Sequence, residues 1–217
     1  MISKVLSATI SGITAHTITV EVDALHGLPQ ETIIGLPDTV VRESRNRIKS
    51  AIKNAGLDYP LRHYVINLAP AEIKKEGPAL DLPIAVGILR ATQQIPEDVE
   101  SFFVGELSLD GHINGIRGII SILHDISAHS PKCRLFLPVD NMPELSLFPN
   151  LSIIPITSLS DIVDFYANCY SPPKIPPYSI RPTSLSHDFQ NVSGQSAIKR
   201  ALEIAASGMH HVLMVGP

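Results

Sequence analysis

The sequence predicts an α/β (α+β) fold followed by a spacer and the beginning of a second domain. Three observations carry this. β-Branched residues crowd the first 22 positions, helical and strand-like periods alternate from about 39 to 168, and five prolines fall within the twelve residues Ser171–Pro182. Strands first and αβ alternation later is the pattern of an α/β or α+β layer structure. A proline run builds neither helix nor central strand, so it predicts an extended spacer.

Each element has a local reason. Ile2–Val22, interrupted by Ser11-Gly12, predicts two strands joined by a tight turn. His26–Pro29 is a further turn, Thr32–Ile34 a short apolar strand, and Gly35-Leu36-Pro37 stops it before Asp38, which suits an N-cap. Val41, Ser44, Ile48, Ala51, Ile52 and Ala55 recur at helical spacing up to Gly56, predicting a helix over 39–55. Tyr64–Leu68 reads as a buried strand ended by Ala69-Pro70, and a loop then leads to an apolar helix near 80–92, with Pro83 in its first turn. Phe102–Leu109 predicts a strand, Asp110-Gly111 a hairpin turn, and His112–Gly115 the returning strand. Helix 117–128, strand 133–137, a short helix about 140–146, strand 151–156 and helix 158–168 complete the first part. Beyond the spacer, Val192-Ser193-Gly194-Gln195 precedes an amphipathic helix near 195–207, and Val212–Val215 predicts an apolar strand ending at Gly216-Pro217.

Composition narrows the partners. At 217 residues, 44% hydrophobic and 18% charged, the chain has enough apolar material for a substantial core. A net charge of -4 leaves no global positive field for nucleic acid, so any such contact must come from a local patch. Cys133 and Cys169 stand far apart without a CxxC pair, which excludes a cysteine zinc site or disulfide scaffold and fits a cytoplasmic protein. The longest apolar run, Leu82–Leu89, falls well short of the roughly 18 residues of a spanning helix, so no membrane partner is expected. Residues 1–22 lack the apolar core of a secretory leader and read as strands. The nine histidines are scattered, with no HExxH and with His210-His211 adjacent, so no metal site is expected.

Two features could carry chemistry. An apolar strand running into Gly216 after a helix is the approach to a phosphate-binding loop, although a buried strand ending at Gly-Pro has the same pattern. Arg42, Arg45, Arg47, Lys49 and Lys53 make one side of helix 39–55 basic and could meet nucleic-acid phosphates. An ordinary solvated face accounts for them equally, since Asp38 and Glu43 dilute the charge and no aromatic interleaves. Glu76, Asp81 and Glu106 lie near glycines, where paired-carboxylate chemistry is one reading. Asp81 as a helix cap and Glu106 as a strand end are the plainer one.

The stretches Val192–Gln195, Ala197–Ala206 and Val212–Pro217 resemble the opening of an AAA+ ATPase module. Gly35-Leu36-Pro37, Asn67-Leu68-Ala69-Pro70, Gly77-Pro78-Ala79-Leu80-Asp81-Leu82-Pro83-Ile84-Ala85 and Val104-Gly105-Glu106-Leu107 add to it. In order and on both sides of the spacer, these motifs resemble the ComM/YifB family of magnesium-chelatase-subunit-I-like AAA+ proteins, from residue 1 to 217. The resemblance implies a Lon-protease, ribosomal-protein-S5-like domain over 1–170, a linker over 171–190 and the start of an AAA+ domain over 191–217. It further implies a homo-hexamer that uses ATP and Mg2+ in the full-length protein to drive branch migration of DNA. By the same resemblance Val192, Gly194 and Gln195 lie near the adenine and Gly216 and Pro217 near the phosphates. The phosphate-loop lysine falls beyond Pro217, so this stretch alone is expected to hold no nucleotide. A chelatase-type motor subunit and a protein-docking module are the alternatives.

A Lon-type peptidase needs a serine nucleophile and a lysine able to lose its proton. The Lon pattern places that serine after Gly-Pro, where Ala79 stands here, and the lysine at Ile120, with Arg117 the nearby cation. Alanine has no attacking atom and arginine stays protonated, so the expectation is a protease fold without protease chemistry. Lys74 and Lys75 read as solvated surface charges.

Overall fold

The computed structural model describes residues 2–75, 77–178 and 188–216, and the chain divides into two compact units with the boundary after Tyr178. The first unit is built on a mixed seven-stranded sheet. In chain order its elements begin with β1 (Ile2–Ser11), β2 (Thr14–Leu25), β3 (Gln30–Ile34), α1 (Thr39–Asn54), β4 (His63–Ala69) and α2 (Asp81–Ala91). They continue through β5 (Ser101–Phe103), β6 (Glu106–Leu107), β7 (Ile113–Asn114), α3 (Ile119–His129), β8 (Arg134–Pro138), α4 (Met142–Leu145), β9 (Ser152–Ile156) and α5 (Leu159–Tyr166). The sheet order is β3-β4-β2-β1-β5-β8-β9, while β6 and β7 form a separate antiparallel pair.

β1 is the pivot of this sheet. On one side it pairs antiparallel with β2, from Ile2↔Asp23 to Ser11↔Thr14, and on the other it meets β5 in parallel at Leu6↔Phe102. The pairs β3–β4, β5–β8 and β8–β9 are also parallel. Alternation along the strands divides the core in two. Val5, Ile18, Val20, Val22, Ile66, Leu68, Phe103 and Phe136 face α1, α2 and α5. Ala8, Phe102, Leu135 and Leu137 face α3 and α4. Side chains two apart share a face, so one strand can feed both cores.

α2 is buried along its whole length, which its near-continuous apolar run requires. It lies close on the sheet at Gly87, where an added Cβ would sit 2.5 Å from Val22 Cγ2, and Ser3 donates its hydroxyl to the Gly87 carbonyl at 2.7 Å. Arg90, 1% exposed, ends the helix by donating to the Lys4 carbonyl at 2.9 Å, with its guanidinium 5.3 Å from the Phe103 ring centre. Nearby, burial pushes the Asp98 carboxyl up, but hydrogen bonds from Ser101 and Tyr166 and the charge of Arg134 hold it below its ordinary range.

Three expectations change here. The run Phe102–Leu109 is not one strand. It leaves the main sheet after Phe103 and strand structure resumes at Glu106–Leu107; between them the backbone passes so close to Ile113 at Gly105 that a Cβ would lie 2.7 Å from its Cγ2. The helix expected from 117 begins at Ile119, since Gly118 takes a left-handed φ of 77°. Asp81 does not cap α2: it is the first helical residue, and its side chain is engaged elsewhere.

The second unit is described over 188–216. It holds a 3-10 turn at Phe189–Asn191 and the helix α6 (Ser196–Gly208). Val212–Val215, expected as a strand, has no regular secondary structure, and no strand within the described residues of this unit offers it a ladder. Part of the proline spacer, 179–182, and the rest of the expected linker up to 187 lie outside the described residues, whereas 171–178 are non-helical and non-strand.

Candidate functional site

A cleft opens where β5 parts from β1. Beyond Phe103 the chain is drawn aside: Val104 N donates to Phe136 O, Gly105 N to Ala79 O and Leu82 N to Gly105 O. The space left is a cavity of about 380 Å³ bounded by Ala8–Ile10 of β1, Gly77–Ala79, Glu106, the loop Gly115–Arg117 and Ile122. That loop is fixed from outside. Asn141 accepts from Ile116 N at 2.9 Å and donates to Ile116 O at 3.0 Å, while Asp140 accepts from Gly115 N at 3.2 Å.

Ala79 therefore lines the cleft as the expected nucleophile position, with only a methyl group. Ile120 does not join it; it lies on the first turn of α3 and is 47% exposed, while Ile122 and Arg117 supply the lining. With a methyl group and a permanently protonated guanidinium, these positions offer neither a nucleophile nor a base.

An ion pair with a buried carboxylate joins α1 to α2. Arg47 of α1 reaches Asp81 through two bonds, Nε to Oδ2 at 2.7 Å and Nη2 to Oδ1 at 3.1 Å, and Leu107 N also donates to Oδ2 at 3.3 Å. Asp81 is 1% exposed, and burial pushes its carboxyl up to about 6 despite Arg47, whose own protonation the pair reinforces. Arg47 is thus removed from the set of nucleic-acid candidates: its fork is occupied by Asp81.

Lys75 also departs from expectation. It is buried, and its ammonium donates to the Pro70 carbonyl; burial lowers its proton affinity. The cause is a fold-back of the loop, in which Lys75 N donates to Leu36 O and Asp38 N to Lys75 O. Asp38 completes the knot as the α1 cap, accepting from Val41 N at 2.8 Å and from Gly77 N at 3.1 Å. Glu76 lies outside the described residues.

The remaining basic residues of α1 divide. Arg42 and Lys53 are exposed. Arg45 and Lys49 meet Arg62 in a cavity of about 250 Å³ beside β3, with Tyr59 and Glu31 in its wall. Arg45 donates to Glu31 O at 3.1 Å, Lys49 Nζ stands 5.8 Å from the Tyr59 ring centre, and Tyr59 donates to the Glu31 carboxylate at 2.8 Å. Arg62 and Tyr59 carry no local sequence signal for this site, since only the packing of the 57–62 segment against α1 brings them there.

In the second unit, Val192 is 44% exposed, Gly194 and Gln195 both have left-handed backbones (φ of 66° and 55°), and Gly216 is exposed. Pro217 lies outside the described residues.

Comparison with known proteins spans both units. The family model "Subunit ChlI of Mg-chelatase" matches residues 20–141, and "Magnesium chelatase, subunit ChlI" matches 188–217. YifB of Escherichia coli K12 is 38% identical over 95% of this chain and 41% of its own length. Competence protein ComM of Haemophilus influenzae is 35% identical over 95% of this chain and 42% of its own. A Lon protease of Aster yellows witches'-broom phytoplasma is 29% identical over 66% of this chain and 20% of its own. The chain thus spans about two fifths of the length of YifB and ComM.

Proposed function

We propose, from the premise that the chain belongs to the ComM/YifB family of magnesium-chelatase ChlI-type proteins, that it is part of an ATP-driven AAA+ motor acting on DNA. The observation that carries this is the 35% identity to ComM, a competence protein, across 95% of the chain and therefore across both units. In this reading the intact protein is a hexamer that moves DNA strands with ATP and Mg2+. The first unit has the Lon/S5 fold, a reading the similarity to a Lon protease supports, and works without peptide cleavage.

Val192, Gly194, Gln195, Gly216 and Pro217 contribute one edge of the nucleotide site. They contain neither the lysine nor the magnesium-binding hydroxyl that a phosphate loop uses, so no hydrolytic step is assigned to them. The DNA contact of the first unit is the cleft of Arg45, Lys49 and Arg62, where three cations converge beside an aromatic ring that can stack on a base. Glu31 in the same wall offsets part of that charge, which makes the contact an auxiliary one.

The test is a gel-shift salt series with single-stranded and branched DNA, using the wild-type chain and the double variant Arg45→Glu/Lys49→Glu. Loss of two phosphate contacts lowers the salt slope by about 2 and weakens binding to all sequences alike. Binding that is absent, or indifferent to salt and to the variant, removes the DNA contact from this unit. The description of the matched family models favours a second reading, a chelatase-type motor. ATP turnover by the full-length protein that responds to metal-free porphyrin and not to DNA would select it.

A further inference from the structure

We infer that the cavity between β3 and α1 holds a single unpaired guanine of a DNA strand, with the phosphates on Arg45, Lys49 and Arg62 and the Watson–Crick edge of the base on the Glu31 carboxylate. The inference rests on the DNA reading above and adds to it a choice of base. Arg45, Lys49 and Arg62 line the cavity together with Glu31, yet none of the three forms an ion pair among the described residues. Arg45 donates from Nε to the Arg42 carbonyl at 3.0 Å and from Nη1 to the Glu31 carbonyl at 3.1 Å, and its Nη2 has no partner among the described residues. Converging cations without a local anion recognise phosphate. Phosphate alone leaves Glu31 unexplained, because a carboxylate in the same wall opposes it.

A base with two adjacent donors accounts for it. Glu31 Oε1 accepts from the Tyr59 hydroxyl at 2.8 Å, and Oε2 has no partner among the described residues. Tyr59 is itself held in place, with its ring centre 5.2 Å from that of Tyr64. Burial, reinforced by the Glu31 carboxylate, raises the Tyr59 phenol far above its ordinary range, so it stays a donor. An ionised carboxylate only accepts, and its two oxygens offer about four lone-pair positions, which leaves room for two further donors beside Tyr59. Guanine presents N1–H and N2–H side by side, with O6 next to them to accept from a lysine or arginine of the wall. Adenine and cytosine set a ring lone pair next to the amino group, which a carboxylate repels, and thymine has one N–H between two carbonyls. Base pairing hides this edge, so the guanine must be unpaired. The cavity of about 250 Å³ accommodates one such base rather than a stack.

The test is fluorescence anisotropy of the 217-residue chain with labelled single-stranded oligothymidylates about 12 nucleotides long, either plain or with one central dG, dI, dC or dA. The dG strand binds about tenfold more tightly than the plain one, the dI strand, which lacks the N2 amine, falls between them, and the dA and dC strands stay within about threefold of the plain one. Annealing a complementary strand removes the advantage of dG. Glu31→Gln abolishes the preference and strengthens the binding of every strand, because a charge of the same sign as the phosphates is gone. The base series needs only the wild-type chain, so it decides the matter even if Glu31→Gln does not fold. Equal binding of all the single strands overturns the inference and leaves the DNA reading standing, whereas no binding of any strand overturns both. Binding of dGMP as tight as that of the dG strand overturns the strand as the source of the base.

Discussion

Removing the charge at Asp81 isolates an electrostatic tension where α1 meets α2. Its carboxyl is 1% exposed and titrates near 6 in the folded chain against 3.8 ordinarily, because burial outweighs the Arg47 fork. A raised carboxyl means that the folded state holds its proton more firmly than the unfolded chain. The Asp81 contribution to stability is therefore greatest below 3.8, where both states are protonated, and is lost as pH rises through about 6. The two values differ by enough to cost roughly 3 kcal/mol across that window. Urea unfolding followed by far-UV circular dichroism at a series of pH values between 4.5 and 8 reads this directly. Asp81→Asn keeps the shape and removes the titration, so its curve is flatter than the wild type's by an amount of that order. Arg47→Met leaves the carboxylate alone in the core, and it loses about 3 kcal/mol or more at pH 8 and less at pH 5, where Asp81 takes up a proton. Parallel wild-type and Asp81→Asn profiles, or an Arg47→Met variant hurt more in acid than in base, would refute the reasoning.

Other expectations follow from the same geometry. Lys75 is buried, so acylating reagents reach it more slowly than exposed Lys132, even though its lowered proton affinity leaves more of the reactive neutral amine; peptide mapping checks this. Lys75→Met stays within about 1 kcal/mol of the wild type at pH 7, because the charge it removes is poorly solvated and the exposed Pro70 can turn its carbonyl to water. It also flattens the gain in stability that a lowered lysine gives as pH rises from the folded value towards 10.5. Gly87→Ala drives a methyl against Val22 and costs about 1–3 kcal/mol in urea titrations, while adding Val22→Ala recovers part of that loss. Ala79→Ser creates no peptidase: casein and fluorogenic peptides remain intact, because Arg117, the cation in the cleft, cannot act as the base.

Local pattern carried much of the fold and little of the site. Ser11-Gly12 between β-branched runs announces the β1–β2 hairpin, and Asp38 before the Val41, Ser44, Ile48 series marks the start of α1. Which strands become neighbours is not local: nothing near Leu6 names Phe102, nor does anything near Thr32 name Val65. Arg47 was readable in hindsight. It stands two residues from Arg45 and Lys49, on the opposite side of a helix, and three and four from buried Ser44 and Ala51. That spacing turns it inward towards α2. Lys75 had no such signal, because its burial comes from a loop folding back on Leu36 and Asp38 rather than from any periodicity. Phe102–Leu109 misled because apolar character runs through Gly105 without revealing that the chain changes sheets there.

The double allegiance of β1 sets an order of assembly. Its antiparallel partner follows at once across Ser11–Thr14, whereas β5, its parallel partner, arrives only after α1, β4 and α2 have been made. Local pairs close quickly and distant ones slowly. During synthesis the first 25 residues can zip into a ribbon while the later strands are still inside the ribosome, and that ribbon then offers a ready template on which Phe102 must find Leu6. Pulse-labelling during refolding should protect amides of Val5 and Val20 before those of Leu135 and Phe136, making the amino-terminal ribbon the slate on which the other half of the sheet is written.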